Sequence, residues 1–191
     1  MNIFEVCYWT AILLEMAIRI PLQKARKALP RSEQRISRTE TFLLGGLLVS
    51  MVIIPLIFTA TGWLDFANYN LPGWLGWLGV LLLLGSLVIF ARAHLDLKSN
   101  WSPSLEIYEK HTLITTGIYK YIRHPMYASQ WLWVIAQILL LQNWLAGPID
   151  FILFIPFYFI RVLAEEKMMA DQFGEAYLKY IRQTGGVIPW F

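Results

Sequence analysis

The chain has 191 residues, of which 57% are hydrophobic and 15% charged, with a formal net charge of +3. The apolar share is well above the roughly 45–50% of soluble domains, which excludes an ordinary water-soluble domain, and so small a charge gives no reason to expect nucleic acid as a partner. A single cysteine, Cys7, excludes an intramolecular disulfide.

The first apolar stretch, Phe4 to Ile20, carries Glu5, Glu15 and Arg19. It lacks a basic leader segment and an A-x-A cleavage site, so it reads as a helix of the mature protein. Thr41 to Leu64 and Phe66 to Ala91 are free of charge, and each is long enough for a hydrocarbon core that needs about 20 helical residues. Met126 to Ile149 is a further uncharged run. Phe151 to Ile160 is short but continues through RVLAEEKMMADQF. It spans if Arg161 and Glu165 face a protein cavity and not lipid. The predicted fold is therefore all-α, an integral membrane bundle of about five transmembrane helices. One domain covers residues 1–191, with three helices in 1–92 and a long loop, two helices and a tail in 93–191.

Loop charge orients this bundle. Lys24, Arg26, Lys27, Arg31, Arg35 and Arg38 follow the first helix, and Arg92, Lys98, Lys110, Lys120 and Arg123 flank or lie in the loop after the third. Lys167, Lys179 and Arg182 lie in the tail, whereas the loop around Asp65 has no basic residue. The positive-inside rule then puts the N-terminus outside, and the C-terminus and the long loop in the cytoplasm. The connection QNWLAGPID is short, so the fourth and fifth helices should be antiparallel neighbours, with the Arg123-His124-Pro125 turn beside Arg161 and Glu165.

Two constellations at that end carry chemistry. In GIYKYIRHPMY, Pro125 suits the first turn of a helix and keeps His124 out of helical geometry, leaving extended backbone whose amides are expected to be unpaired and open to an anion. The same residues also fit a plain interfacial helix start, with Arg123 on headgroups and Tyr127 in an aromatic belt. Arg161 and Glu165, at i and i+4, share a helix face. They read either as a boundary ion pair or as a ligand-holding set, with Glu166 directed elsewhere. The loop between these constellations adds Asn100, Trp101, Glu106 and His111 as donors, acceptors and a stacking surface, so it reads as a lid or cofactor shelf. Trp101 also fits an interfacial anchor. His94, His111 and His124 lack the close spacing of a metal site, and none is expected.

HTLITTGIYKYIRHPMY, followed by Arg161-x-x-x-Glu165 and a terminal FGEAYLKY, resembles the isoprenylcysteine carboxyl methyltransferase family, in outline its compact prokaryotic members. The resemblance covers roughly the last hundred residues, and the first two helices match in topology alone. It implies S-adenosylmethionine as cofactor, with S-adenosylhomocysteine as product. The implied cofactor contacts are Glu106, His111, Thr112, Leu113, Ile114, Tyr119, Arg123, His124, Pro125, Met126, Tyr127 and Glu165. Arg161 and Trp101 are implied on the acceptor side, with Arg161 holding its carboxylate and Arg161 and Glu165 as the catalytic pair. The acceptor implied is a prenylated cysteine or a smaller lipophilic carboxylate reached from the bilayer. Other readings are a phospholipid amine N-methyltransferase, which Arg161 disfavours by repelling an ammonium, an NADPH-dependent sterol-type reductase, and a non-catalytic membrane binding protein.

Overall fold

Long uncharged runs cannot leave backbone groups unpaired in lipid, and they form the rods of this bundle. The computed structural model describes residues 1–26, 31–34, 38–97, 106–108 and 112–190. Helix α1 runs from Ile3 to Arg26. Helix α2, Arg38–Leu48, passes through a π-turn at Val49–Ile53 into α3, Ile54–Ala60, as one rod. Helices α4, Gly73–Leu97, α5, Pro125–Leu141, and α6, Pro148–Phe173, complete a bundle of about five spans. Thr41–Ala60 and Gly73–Leu97 are each long and apolar enough to cross a membrane, while Pro125–Leu141 is shorter.

Several boundaries differ from the sequence reading. The second span stops at Ala60 and the next begins at Gly73, because a 3₁₀ turn at Asp65–Ala67 and the Asn- and Pro-containing loop after it intervene. Gln142, with φ of 46°, ends α5. Pro148 then opens α6 from its first turn, where a proline loses no helical hydrogen bond. The fifth helix is thus 26 residues long and carries Arg161 and Glu165 within it. Gly174, with φ of 54°, breaks the chain into a last amphipathic helix, α7, Glu175–Gln183. A short antiparallel ribbon, β1 Arg31–Gln34 and β2 Glu106–Tyr108, ties the first basic loop to the long connection. Segments of 4 and 3 residues have no alternation to betray them, and the all-α reading omitted them.

At the end away from the Arg123-His124-Pro125 turn, Trp63, Trp74, Trp77 and Trp144 are exposed, the position amphipathic rings take at a membrane surface. Leu81, Leu84 and Val88 of α4 are exposed between the two ends and suit acyl chains. The core packs Tyr8 and Trp133 with Leu83, Leu87 and Leu140. Gly79 lets α4 close on α5, since a Cβ there would meet the Leu140 side chain at 3.1 Å. The π-turn disrupts the regular backbone ladder, and side chains meet its carbonyls. The Tyr8 hydroxyl lies 2.6 Å from Met51 O, and Gln137 Nε2 donates to Ser50 O at 3.0 Å.

Candidate functional site

The connection after α4 is shaped before it reaches α5. Asp96 at the end of α4 accepts the amide of Ile118 at 2.8 Å, and Gly117 turns there with φ of +63°. A Cβ on Gly117 would collide with the Asp96 carboxylate, so the turn needs glycine on both steric and conformational grounds. The Tyr180 hydroxyl of α7 donates to Tyr119 O at 2.5 Å. Burial pushes the Tyr180 hydroxyl up to about 12, so at neutral pH it stays protonated and able to donate.

The turn that follows is sewn to the C-terminal tail. Arg123 N donates to Gly185 O at 2.8 Å and His124 N to Gly186 O at 3.0 Å, beside a parallel bridge between Ile122 and Gly185. This corrects the expectation that these amides are unpaired and open to an anion. The tail satisfies them, as buried amides require. The Arg123 guanidinium is likewise occupied by protein. It donates from Nη2 to Glu166 Oε1 at 2.9 Å, from Nε to the same oxygen at 3.2 Å, and from Nη1 to the carbonyls of Ile181 and Thr184.

Glu166 was read as pointing elsewhere. It does lie off the Arg161/Glu165 stripe, but its Oε1 also sits 3.0 Å from His124 Nε2. One carboxylate therefore holds the guanidinium and the imidazole together. In the tautomer that carries its proton on Nε2, facing that carboxylate, Nδ1 is an acceptor. His124 Nδ1 is buried, has no hydrogen-bond partner among the described residues, and lies 3.9 Å from Glu165 Oε1.

Tyr127, one turn into α5, joins the two predicted residues of α6. Its hydroxyl donates to Glu165 Oε2 at 2.8 Å and accepts from Arg161 Nε at 3.1 Å. Arg161 is 8% exposed, with its guanidinium carbon 5.8 Å from the centroid of the Phe157 ring. An arginine buried this deeply in a membrane helix needs polar company, and Tyr127 supplies part of it.

These groups border one chamber of about 630 Å³. Thr112 to Ile114, Tyr119, Arg123 to Tyr127, Arg161 and Glu165 all line it, so the structure brings together every predicted site residue whose side chain is described. Trp101, His111 and the side chain of Glu106 lie outside the described residues. Tyr177 and Tyr180 of α7 also line the chamber and were not singled out in the sequence; their i, i+3 spacing on an amphipathic helix was the available signal. Beyond this polar end the lining is mostly apolar, with Met16, Leu44, Leu47, Met51 and Phe154 among its walls and Glu15, Arg19 and Gln130 set between them. The first two helices therefore line the chamber together with residues of 93–191.

A helical bundle with a lipid-suited surface and an internal chamber, apolar at one part and charged and aromatic at the other, is the architecture of an integral membrane protein. The profile of the isoprenylcysteine carboxyl methyltransferase (ICMT) family matches residues 77–171. The protein-S-isoprenylcysteine O-methyltransferase of Tribolium castaneum is 29% identical over 143 residues, covering 70% of this chain and 51% of the relative. That of Homo sapiens is 27% identical over 139 residues, covering 68% and 49%, and that of Saccharomyces cerevisiae 34% over 84 residues, covering 42% and 34%. A solved structure of the eukaryotic intramembrane Ras methyltransferase ICMT superposes with a TM-score of 0.55 at 25% identity, covering 81% of this chain and 54% of that one. The chain belongs to the isoprenylcysteine carboxyl methyltransferase family. It spans about half the length of the Tribolium and human relatives.

Proposed function

We propose that this protein transfers a methyl group from S-adenosylmethionine to the carboxylate of a lipophilic, isoprenylcysteine-like acceptor within the membrane. The observation that carries the reading is the Tyr127 hydroxyl bridging Arg161 and Glu165 on the wall of a half-apolar chamber. That bridge sets an anion-binding group and a carboxylate side by side.

The described residues fit the cofactor. His124 Nδ1, buried and without a hydrogen-bond partner among the described residues, and Glu165 beside it suit the ammonium of an amino-acid end. The rings of Tyr119, Tyr127, Tyr177 and Tyr180 suit a nucleoside and the positive sulfonium. When bound, the cofactor supplies an electrophilic methyl carbon, so that a carboxylate oxygen forms the C–O bond as the C–S electron pair returns to sulfur. A carboxylate is already ionised at neutral pH, so the protein needs no general base. Its residues act by position and by excluding water. Arg161 orients the acceptor carboxylate while its Nε remains on Tyr127. A guanidinium gripping both oxygens would quench the nucleophile, so one oxygen has to stay free. The apolar walls from α1 and α2 receive the lipid chain.

The basic residues Arg92, Lys120, Arg123 and Lys167 cluster at the chamber's polar end, whereas the tryptophan-rich far end carries Asp65. This supports a cytoplasmic site with the N-terminus outside.

Calorimetric titration of the purified protein in mild detergent tests the cofactor assignment. S-adenosylmethionine and S-adenosylhomocysteine are expected to bind and NADPH to give no heat. Binding of NADPH alone would move the protein to the reductases, and heat from none of the three would favour a binding-only relative.

A further inference from the structure

Helix α7 turns its apolar side to the chamber, where Tyr177 and Tyr180 are buried. Its other side is exposed and carries Leu178, Lys179 and Arg182. Arg182 lies 3.5 Å from Glu175, with both side chains largely in solvent. Among the described residues no ion pair holds Lys179, nor the exposed Lys120. Beyond α7 the chain folds back at Gly185, where a Cβ would overlap Ile188 O and meet the Trp190 ring at 3.0 Å. The Ile122–Gly185 bridge sets this turn next to the segment that carries Lys120 and Tyr121. Ile188, Trp190 and Tyr121 are 72%, 67% and 60% exposed.

Large apolar and aromatic side chains left this open have no protein partner to gain from, and rings with lysine and arginine beside them are what a headgroup layer receives. The charge narrows the partner further. Lys120, Lys179 and Arg182 outnumber Glu175, which favours anionic headgroups over zwitterionic ones. This surface is also continuous with the site. Gly185 O and Gly186 O accept the amides of Arg123 and His124, and the carbonyls of Ile181 and Thr184 accept Arg123 Nη1. Whatever orders residues 184–190 therefore orders the turn that carries His124.

We propose that the exposed face of α7 and the tail through Trp190 form a docking surface for anionic phospholipid headgroups, whose engagement tightens the Arg123-His124-Pro125 turn and with it cofactor binding. The lipid acts by binding the ordered tail better than a loosened one, and its effect is limited to that difference. The cofactor half of the inference rests on the methyl-transfer reading above, whereas the lipid surface stands apart from it.

The test places the purified full-length chain in nanodiscs of phosphatidylcholine alone and of phosphatidylcholine mixed with phosphatidylglycerol. Calorimetry uses S-adenosylhomocysteine, which has no net charge at neutral pH and so is not concentrated by the membrane potential itself. Hydrogen exchange follows the Arg123 and His124 amides and those of residues 184–190. In the mixed lipid the exchange is expected to slow in both segments and the Kd to fall about 3–10-fold, the range that one lysine or arginine at an anionic surface provides. Lys179→Gln with Arg182→Gln, and separately Trp190→Ser, should erase the difference between lipids and leave the Kd in phosphatidylcholine unchanged. Exchange and Kd equal in the two lipids for the wild type would overturn the inference and leave the methyltransferase reading standing. A lipid effect that survives in both variants would overturn it by placing the contact elsewhere, and a variant that loses binding in both lipids would overturn it by making these residues structural. Slower exchange without a change in Kd would overturn the coupling. Failure of S-adenosylhomocysteine to bind in either lipid would overturn the underlying reading, and the coupling with it, whatever the exchange shows.

Discussion

Replacement of Arg161 by alanine is expected to lower kcat/KM for a carboxylate acceptor by about 10²–10⁴-fold while changing the Kd for S-adenosylmethionine by less than about threefold. The size of the loss follows from burial. Arg161 is 8% exposed, so water cannot stand in for it, and an acceptor carboxylate entering the variant would be left unpaired in an apolar chamber. The sparing of the cofactor follows from the hydrogen-bond directions. Tyr127 donates to Glu165 and accepts from Arg161. Removing Arg161 empties the acceptor side of the hydroxyl and leaves its bond to Glu165 in place. Arg161→Lys, which keeps the charge and loses the planar fork, is expected to fall between the two. Steady-state kinetics paired with calorimetry checks this, and an equal loss of cofactor binding and turnover in Arg161→Ala would contradict the separate roles.

Loss of Glu166 should be nearly as damaging, by another route. Its Oε1 takes bonds from Arg123 and His124, whose side chains are 11% and 3% exposed. Glu166→Ala leaves a buried guanidinium short of its anion and frees the imidazole to turn. Breaking a fully buried pair costs about 3–5 kcal/mol, and with Glu166 itself 26% exposed a figure of about 2 kcal/mol is more apt. For a chain of this size that is a fall of about 4–8 °C in the apparent Tm. Because His124 Nδ1 is assigned to the cofactor, its Kd should also rise more than about tenfold. Glu166→Gln keeps the oxygen and loses the charge, so it is expected to recover part of the cofactor affinity. A Glu166→Ala protein that binds S-adenosylmethionine like the wild type would mean that the tail alone positions the turn.

The spans were legible because lipid imposes one rule on every residue. A helix cannot carry charge outward, so runs such as Thr41 to Leu64 declare themselves, and Arg161 declares that a cavity exists. The neighbourhood of the Arg123-His124-Pro125 turn and Glu165 was legible for a related reason, since a short connection fixes which helix ends meet. What stayed hidden were partner choices across long sequence separations. Nothing periodic in the chain marks Gly185 and Gly186 as acceptors for amides 62 residues earlier, so the turn was read as open when the tail closes it. Adjacent glutamates on a helix point about 100° apart. That correctly took Glu166 off the Arg161 face without saying that a second pair of partners stood where it points. The π-turn and its support by Gln137 and Tyr8 were equally silent, because hydropathy reports that a residue is buried and not which carbonyl it must satisfy.

The most direct test of the account is transfer of a radiolabelled methyl group from S-adenosylmethionine to N-acetyl-S-farnesylcysteine by the purified protein, followed by treatment of the product with base. A carboxyl methyl ester is expected, recognised by label that enters the lipid fraction and is released as volatile methanol on alkaline hydrolysis. Label that survives base would place the methyl on nitrogen or sulfur and contradict the carboxylate chemistry assigned to Arg161. A wild-type protein that binds the cofactor and transfers no label would contradict the assignment of this chamber as the site of methyl transfer to this class of acceptor.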